Sequence, residues 1–341
     1  MPVVRRKREE MSELEPVQWG VLSTADIGLR KVIPAMQRSE LSPVAAIASR
    51  SADRAAEAAA PLGIARSYGT YEELLADEAI EAVYIPLPNH MHLEWTTKAA
   101  EAGKHVLCEK PLAMTAEDAR AMVDVCDRAG VRLMEAFMYR QHPLWVETKR
   151  LADSGSIGDI QVVDIVFSYF NDDPTNIRNI REVGGGALYD IGCYAINASR
   201  MLFGSEPTEV KATLRRDGTI GVDVVTAAIL RFGDRTASFV CSTRMEPDQR
   251  VDIYGTKGRL TVEIPFNIPP DRPTRIIEMT GGTPPAGPRV EIHEIAVADP
   301  YTVQADAFSR ALRTGAPVPV PPEDATANLE VIERIFADAE N

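Results

Sequence analysis

Residues 18–28 read QWGVLSTADIG: a short apolar run, a turn of small residues, then the start of a helical pattern. A dinucleotide-binding fold places its phosphate loop at such a strand-to-helix turn, marked by G-x-G-x-x-G. The first glycine makes the tight turn, the second lets the backbone approach a pyrophosphate, and the third lets helix and strand pack closely. In this chain those three positions hold Ser23, Ala25 and Gly28. Backbone N–H groups at the helix start do the binding, so the side chains at the marked positions need only be small. The segment Ser23, Thr24, Ala25, Asp26, Ile27 and Gly28 is therefore read as a cofactor loop in which two glycines are replaced.

The surroundings fit that reading. Apolar runs recur at VQWGVLS (17–23), PVAAIAS (43–49), AVYIPLP (82–88), KHVLCEK (104–110) and VRLMEAF (131–137). Between them lie helical stretches, DRAAEAAAPLG (53–63), HLEWTTKAAEAG (92–103) and AEDARAMVDVCDRAG (116–130), each ending at the glycine that a helix C-terminus prefers. Thr115 is placed to cap the third, with acids in its first turn. Strands alternating with helices of this length predict βαβ units and a doubly wound parallel sheet. The second run ends in Ser49, Arg50 and Ser51, about twenty residues past the loop. An acid there would take the ribose 2′-hydroxyl, whereas Ser and Arg offer donors and positive charge to a 2′-phosphate, so NADP(H) is favoured over NAD(H).

After about residue 150 the texture changes. A helical segment, GGALYDIGCYAINASRMLFG (185–204), is followed by strand-like runs at 207–216, 222–232, 235–244, 250–264 and 290–297 with short turns, YGTKGR (254–259) among them. Such a series predicts an antiparallel sheet. Residues 302–315 and 323–340 carry helical periodicity. The expected division is a disordered arm over 1–15, a Rossmann domain over 16–140 and an α+β domain over 141–341 with a large, mostly antiparallel sheet.

The totals narrow the class. A formal net charge of -13 over 341 residues disfavours nucleic acid and anionic membranes as partners. No apolar run reaches the roughly 20 residues that span a bilayer. The basic start MPVVRRKREE lacks the apolar core of a secretory signal. Cys108, Cys126, Cys193 and Cys241 form no C-x-x-C pair. These features predict a cytoplasmic protein with unpaired thiols. His90 and His92, two apart, have no third ligand nearby, and no metal is expected.

Two further stretches carry a resemblance. HVLCEKPLA (105–113), an apolar strand running into Glu109, Lys110 and Pro111, together with GGGALYDIGCYAIN (184–197), resembles the paired signatures of the Gfo/Idh/MocA oxidoreductases. The likeness runs from about Val17 to the C-terminus. STADIG (23–28), EAFMYRQHP (135–143) and Tyr194 look most like the branch of dihydrodiol dehydrogenases, D-xylose dehydrogenases and glucose–fructose oxidoreductase. The resemblance implies hydride transfer between a nicotinamide and a sugar, sugar derivative or trans-dihydrodiol. It implies Tyr194 as acid/base, Lys110 as its electrostatic partner and substrate ligand, and Asp190 as orienter, with the choice between Tyr194 and Lys110 for the proton left open. A Lys partly desolvated beside an oxidised nicotinamide, and a Tyr beside that Lys, are both expected to have lowered pKa values. Asp190 and Tyr194, four apart, would share a helix face. Pro88, Asn89, His92 and Glu109 match cofactor-contacting positions, and Tyr139 and Arg178 match positions near the substrate. His142 either lines the pocket or caps a turn. The family further implies a homodimer or homotetramer joined through the C-terminal sheet, and a small polyhydroxylated substrate. A nucleotide-sugar ketoreductase, a cofactor-dependent glycosidase and a non-catalytic cofactor sensor remain as alternatives.

Overall fold

The computed structural model describes residues 14–282 and 287–340, so the expected arm lies, but for its last two residues, outside the described residues. The first half builds a six-stranded parallel sheet: β1 (Trp19–Leu22), β2 (Val44–Ala48), β3 (Arg66–Tyr68), β4 (Ala82–Ile85), β5 (His105–Cys108) and β6 (Leu133–Glu135). Their order is β3-β2-β1-β4-β5-β6, that of the doubly wound dinucleotide fold. Every residue of β1 and β4 is buried, which is why these strands read as unbroken apolar runs. The helix Ala116–Ala129 starts on Thr115, whose side chain accepts the Asp118 N–H, and stops at Gly130 in the left-handed conformation.

The second half builds an eight-stranded sheet from β7 (Ile160–Phe170), β8 (Glu209–Arg216), β9 (Asp223–Phe232), β10 (Arg235–Ser242), β11 (Arg244–Gly255), β12 (Gly258–Val262), β13 (Thr274–Thr280) and β14 (Arg289–Ile295). The order is β14-β13-β12-β11-β7-β10-β9-β8, and β7 with β10 is the parallel pair in an otherwise antiparallel ladder. The inner face, with Val163, Ile165, Phe167, Leu230, Phe239 and Ile253, is buried. On the other face Val162, Ile229 and Tyr254 stand exposed.

The helix Pro300–Thr314 crosses back to the parallel sheet. Phe308 packs 5.5 Å from the Trp19 ring, and the Trp19 indole donates to Ser309 Oγ at 3.0 Å. Arg313 grips Glu81 through two 2.7 Å bonds. The two sheets thus share a seam, and the C-terminal ends of the parallel strands open onto it.

Candidate active site

The seam holds a cleft of about 780 Å³ at the point where strand order reverses, between β1 and β4. Ala25, Asp26 and Ile27 after β1, Pro86, Leu87 and Asn89 after β4, and Glu109, Lys110 and Pro111 after β5 form one wall. Tyr169, Arg178, Asp190 and Tyr194 stand in the opposite wall.

The loop after β1 turns tightly without the first two glycines of the motif. Ser23 has φ 154°, on the side of the map that glycine favours. Its hydroxyl closes the turn by accepting the Ala25 N–H at 3.0 Å. Gly28 is buried at the start of the helix that follows, but a Cβ there would meet its nearest neighbour, Pro86, at an ordinary 3.7 Å. Close packing at the third position therefore does not require glycine here. Thr24 Oγ1 lies 3.5 Å from Ser49 Oγ, so the loops after β1 and β2 run side by side. Ser51 caps the helix Ala52–Ala59, and Arg50 is exposed with no carboxylate partner among the described residues. Backbone donors at a helix start beside a spare cation suit a phosphorylated dinucleotide.

Across the cleft the chain is folded around three glycines. Gly184 and Gly186 have φ 86° and 121°, and a Cβ on Gly186 would lie 2.1 Å from Asp223 Oδ1. The tight packing lets Asn89 donate to Gly184 O at 2.9 Å and lets the buried Asp223 accept the Leu188 N–H at 2.8 Å. The next residues, Leu188–Gly192, form a π-helical turn that leads into the α-helix Cys193–Phe203. Wide turns of this kind recur at functional sites. The expected α-helical spacing of Asp190 and Tyr194 is thus broken by a π turn, yet both face the cleft.

Asp190 is the hub. Lys110 Nζ donates to its main-chain oxygen at 2.6 Å and to Oδ1 at 3.1 Å. Oδ2 accepts from Arg178 Nε at 3.0 Å and from the Tyr169 hydroxyl. Lys110 and Asp190 side chains are each only 12% exposed. Burial by itself would raise the Asp190 carboxyl, but Lys110 and Arg178 outweigh it and hold it well below the usual carboxylate range. Burial would lower Lys110, but Asp190, Cys193 and Glu109 more than offset it, and the ammonium is raised. Within the chain itself the expected lowering of Lys110 is thus reversed, while that expectation concerns Lys110 beside an oxidised nicotinamide.

The Tyr194 expectation changes likewise. Lys110 Nζ sits over the Tyr194 ring, 5.0 Å from its centroid, and not beside its oxygen. The hydroxyl points at Met138 Sδ, 3.5 Å away, a weak acceptor. Burial, then Glu109 and Tyr301, push the phenol well above its ordinary value. Glu109 itself is raised by burial and bonded by the Tyr84 hydroxyl at 2.6 Å.

Three expected contacts are corrected. His92 is fully buried with Nε2 2.8 Å from Leu87 O and Nδ1 3.0 Å from Pro111 O, so it ties the loops after β4 and β5 together instead of facing the cleft. Tyr139 is fully buried and donates to Asn197 Oδ1 at 2.6 Å within an aromatic cluster. His142 caps the helix Pro143–Asp153 by accepting the Leu144 N–H at 3.1 Å, which settles its two readings in favour of the cap. Pro88, Ser23, Thr24 and Gly28 are not among the residues that line the cleft. Tyr169, which the sequence reading did not single out, joins the hub because β7 delivers it opposite Asp190. Among the described residues no cluster of three or more His, Cys, Asp or Glu is arranged to hold a metal ion.

Comparison with known proteins agrees with this geometry. Residues 17–137 match the model of an oxidoreductase family with an NAD-binding Rossmann fold, and residues 145–261 match the GFO/IDH/MocA C-terminal domain. The chain is 45% identical to an uncharacterized oxidoreductase of Rhizobium meliloti over 96% of this chain and 98% of the relative. It is 39% identical to D-xylose 1-dehydrogenase (NADP(+)) 2 of Haloferax volcanii, over 95% and 98% of the two chains. In structure it superposes on a 3-ketoreductase from Actinomadura kijaniata, in complex with NADP and TDP-benzene, with a TM-score of 0.88 at 30% identity, covering 95% of this chain and 98% of the other.

Proposed function

The chain belongs to the Gfo/Idh/MocA oxidoreductase family, and from that premise we propose that it oxidises or reduces a small polyhydroxylated compound, a sugar or sugar derivative first and a trans-dihydrodiol second, with NADP(H). The observation that carries this reading is the spare bonding capacity in the cleft. Lys110 spends two of its three N–H donors on Asp190, and the Tyr194 hydroxyl is spent only on a thioether. Both are free to grip one substrate oxygen.

When bound, the nicotinamide takes or gives the hydride. Tyr194, kept protonated by burial, is in the form that delivers a proton to a carbonyl oxygen, and Lys110, kept charged by Asp190, is in the form that steadies an alkoxide. Oxidation runs the same contacts backwards: Tyr194 or Lys110 must first give up its own proton to solvent before it can take the hydroxyl proton. Asp190 fixes Lys110 and is itself fixed by Arg178 and Tyr169. Asn171, Asn176 and Arg178 supply polar groups along the rim for substrate hydroxyls. Ser49, Arg50 and Ser51 would hold the 2′-phosphate, and Ala25, Asp26, Ile27, Asn89 and Glu109 would follow the rest of the cofactor. A keto-sugar on a nucleotide carrier is the second reading, supported by the likeness to the Actinomadura kijaniata enzyme.

We assign residues 16–140 to the cofactor and 141–341 to the substrate and assembly, in the cytoplasm. Val162, Ile229 and Tyr254 on the open sheet face support pairing with a second copy, as a homodimer or homotetramer. No helix among the described residues is long and apolar enough to cross a membrane.

The test is absorbance at 340 nm with NADP+ and a panel of aldoses, polyols and dihydrodiols, and with NADPH and the matching ketones. Lys110→Ala and Tyr194→Phe are each expected to lower kcat by about 10²–10⁴. Wild-type rates in both variants would move the chemistry elsewhere.

A further inference from the structure

Glu135 ends β6 and is 2% exposed. Its Oε1 accepts the Leu112 N–H at 2.8 Å, and its Oε2 has no hydrogen-bond partner among the described residues. Leu112 lies two residues beyond Lys110. From the other side, His92 reaches Pro111 O at 3.0 Å and Leu112 O at 3.2 Å. The segment that carries Lys110 thus hangs on two buried side chains from different elements. We propose that Glu135 is a positioning residue for Lys110: through the Leu112 amide it fixes the segment that aims the ammonium, and its ionisation slackens that segment. This rests on the role given to Lys110 above.

The physical case is one of unmet hydrogen bonding. A buried carboxylate needs several donors, and Glu135 has one. The acid form has no such need. The groups facing it are Asp324 from the helix Glu323–Ala339, Arg140 after β6, Arg200 and Cys193 from the helix Cys193–Phe203, and Cys108 from β5. Burial, then Asp324, push the Glu135 carboxyl up to about 8, while the Leu112 N–H, Arg200 and Arg140 act the other way. Both cysteines are raised by burial and stay thiols through this range, and burial keeps His92 below its ordinary value. A charge appearing on Glu135 near pH 8 strengthens its bond to the Leu112 N–H but leaves Oε2 bare, and hydrating Oε2, by drawing water in or turning the carboxylate outward, pulls on Leu112 through that bond.

The experiment uses full-length protein and two variants. Glu135→Gln keeps an oxygen for Leu112 and cannot ionise; Glu135→Ala removes the acceptor. Hydrogen exchange of the peptide spanning 109–115 at pH 7 needs no substrate. Protection is expected in wild type and Glu135→Gln, with exchange about tenfold faster or more in Glu135→Ala. Unchanged exchange in Glu135→Ala overturns the proposal whether or not turnover has been found, so the result is separate from the fate of the proposed reaction. With a turned-over substrate, wild-type kcat is expected to fall about three- to tenfold between pH 7.5 and 9 with KM for the cofactor steady, and Glu135→Gln to lack that fall. An identical fall in both contradicts the ionisation step. Should Glu135→Gln not fold, Asp324→Asn leaves Glu135 in place and removes the carboxylate that raises it, so the fall in kcat moves to lower pH; an unmoved fall has the same adverse meaning.

Discussion

Replacing Asp190 by Asn keeps the shape of the hub and deletes its charge. Lys110 Nζ lies 3.1 Å from the carboxylate it would lose, and both side chains are 12% exposed. Two unit charges at that separation, with an effective dielectric near 20, interact by about 5 kcal/mol. Glu109 and the Asp190 main-chain oxygen stay, so the Lys110 pKa is expected to fall, but by less than loss of the whole pair interaction would give. Removing one partner of a buried pair costs about 3–5 kcal/mol. Arg178 also loses this partner, but its side chain is 41% exposed, and that part should be under about 1 kcal/mol. The sign with pH follows from linkage. In wild type the folded Lys110 pKa lies above the unfolded value, so its stabilisation is complete below about pH 10 and is lost only above it. In Asp190→Asn the folded pKa falls below the unfolded one, so the variant gains stability as pH rises toward about 10. Urea denaturation of both proteins at pH 6.5 and 9 measures this. The gap should be about 3–5 kcal/mol at the lower pH and close by about half at the higher. A gap below about 1 kcal/mol, or one that does not change with pH, refutes the view that Asp190 holds Lys110 charged.

Other outcomes follow from single contacts. Gly186→Ala should cost about 3 kcal/mol or more in thermal denaturation, because φ is 121° and the added carbon falls 2.1 Å from Asp223 Oδ1. Gly28→Ala should cost under about 1 kcal/mol and leave NADPH binding within about threefold, because its Cβ has room. His142→Ala should lose about 1 kcal/mol of stability with its cap and leave kcat unchanged, which separates capping from substrate contact. Tyr194→Phe should shift Tm by no more than about 2 °C, because the hydroxyl it loses meets only Met138 Sδ, so its kcat reads chemistry and not folding.

The parallel sheet was legible because strands buried on both faces are unbroken apolar runs, as β1 and β4 are. Short elements were not: β3 has three residues, and the helix Tyr71–Leu75 is announced only by its Thr70–Glu73 capping box. From Val162 to Phe167 β7 alternates buried Val163, Ile165 and Phe167 with exposed or half-buried Val162, Asp164 and Val166, and that period-two signal in IQVVDIVFSYF went unread. Tyr169 was lost with it. The start of the helix Pro143–Asp153 was likewise signalled by Pro143 at its first position. Lys110, Asp190 and Tyr194 came from motifs, but their mutual geometry did not. Whether an ammonium meets a tyrosine at its oxygen or its ring depends on how two distant elements aim their side chains. His92, Tyr139 and His142 show the converse. Each lies within a few residues of a cleft-lining group, yet chain proximity does not distinguish a buried tie from a ligand contact.

The most direct test of the account is a fluorescence titration of purified, cofactor-free protein with NADPH and with NADH, repeated on Arg50→Ser. Binding of NADPH at least tenfold tighter than NADH, with the difference largely lost in Arg50→Ser, is the predicted result. A folded protein that binds neither nucleotide would contradict it, because the loop from Ser23 to Gly28 would then be an ordinary strand-to-helix turn.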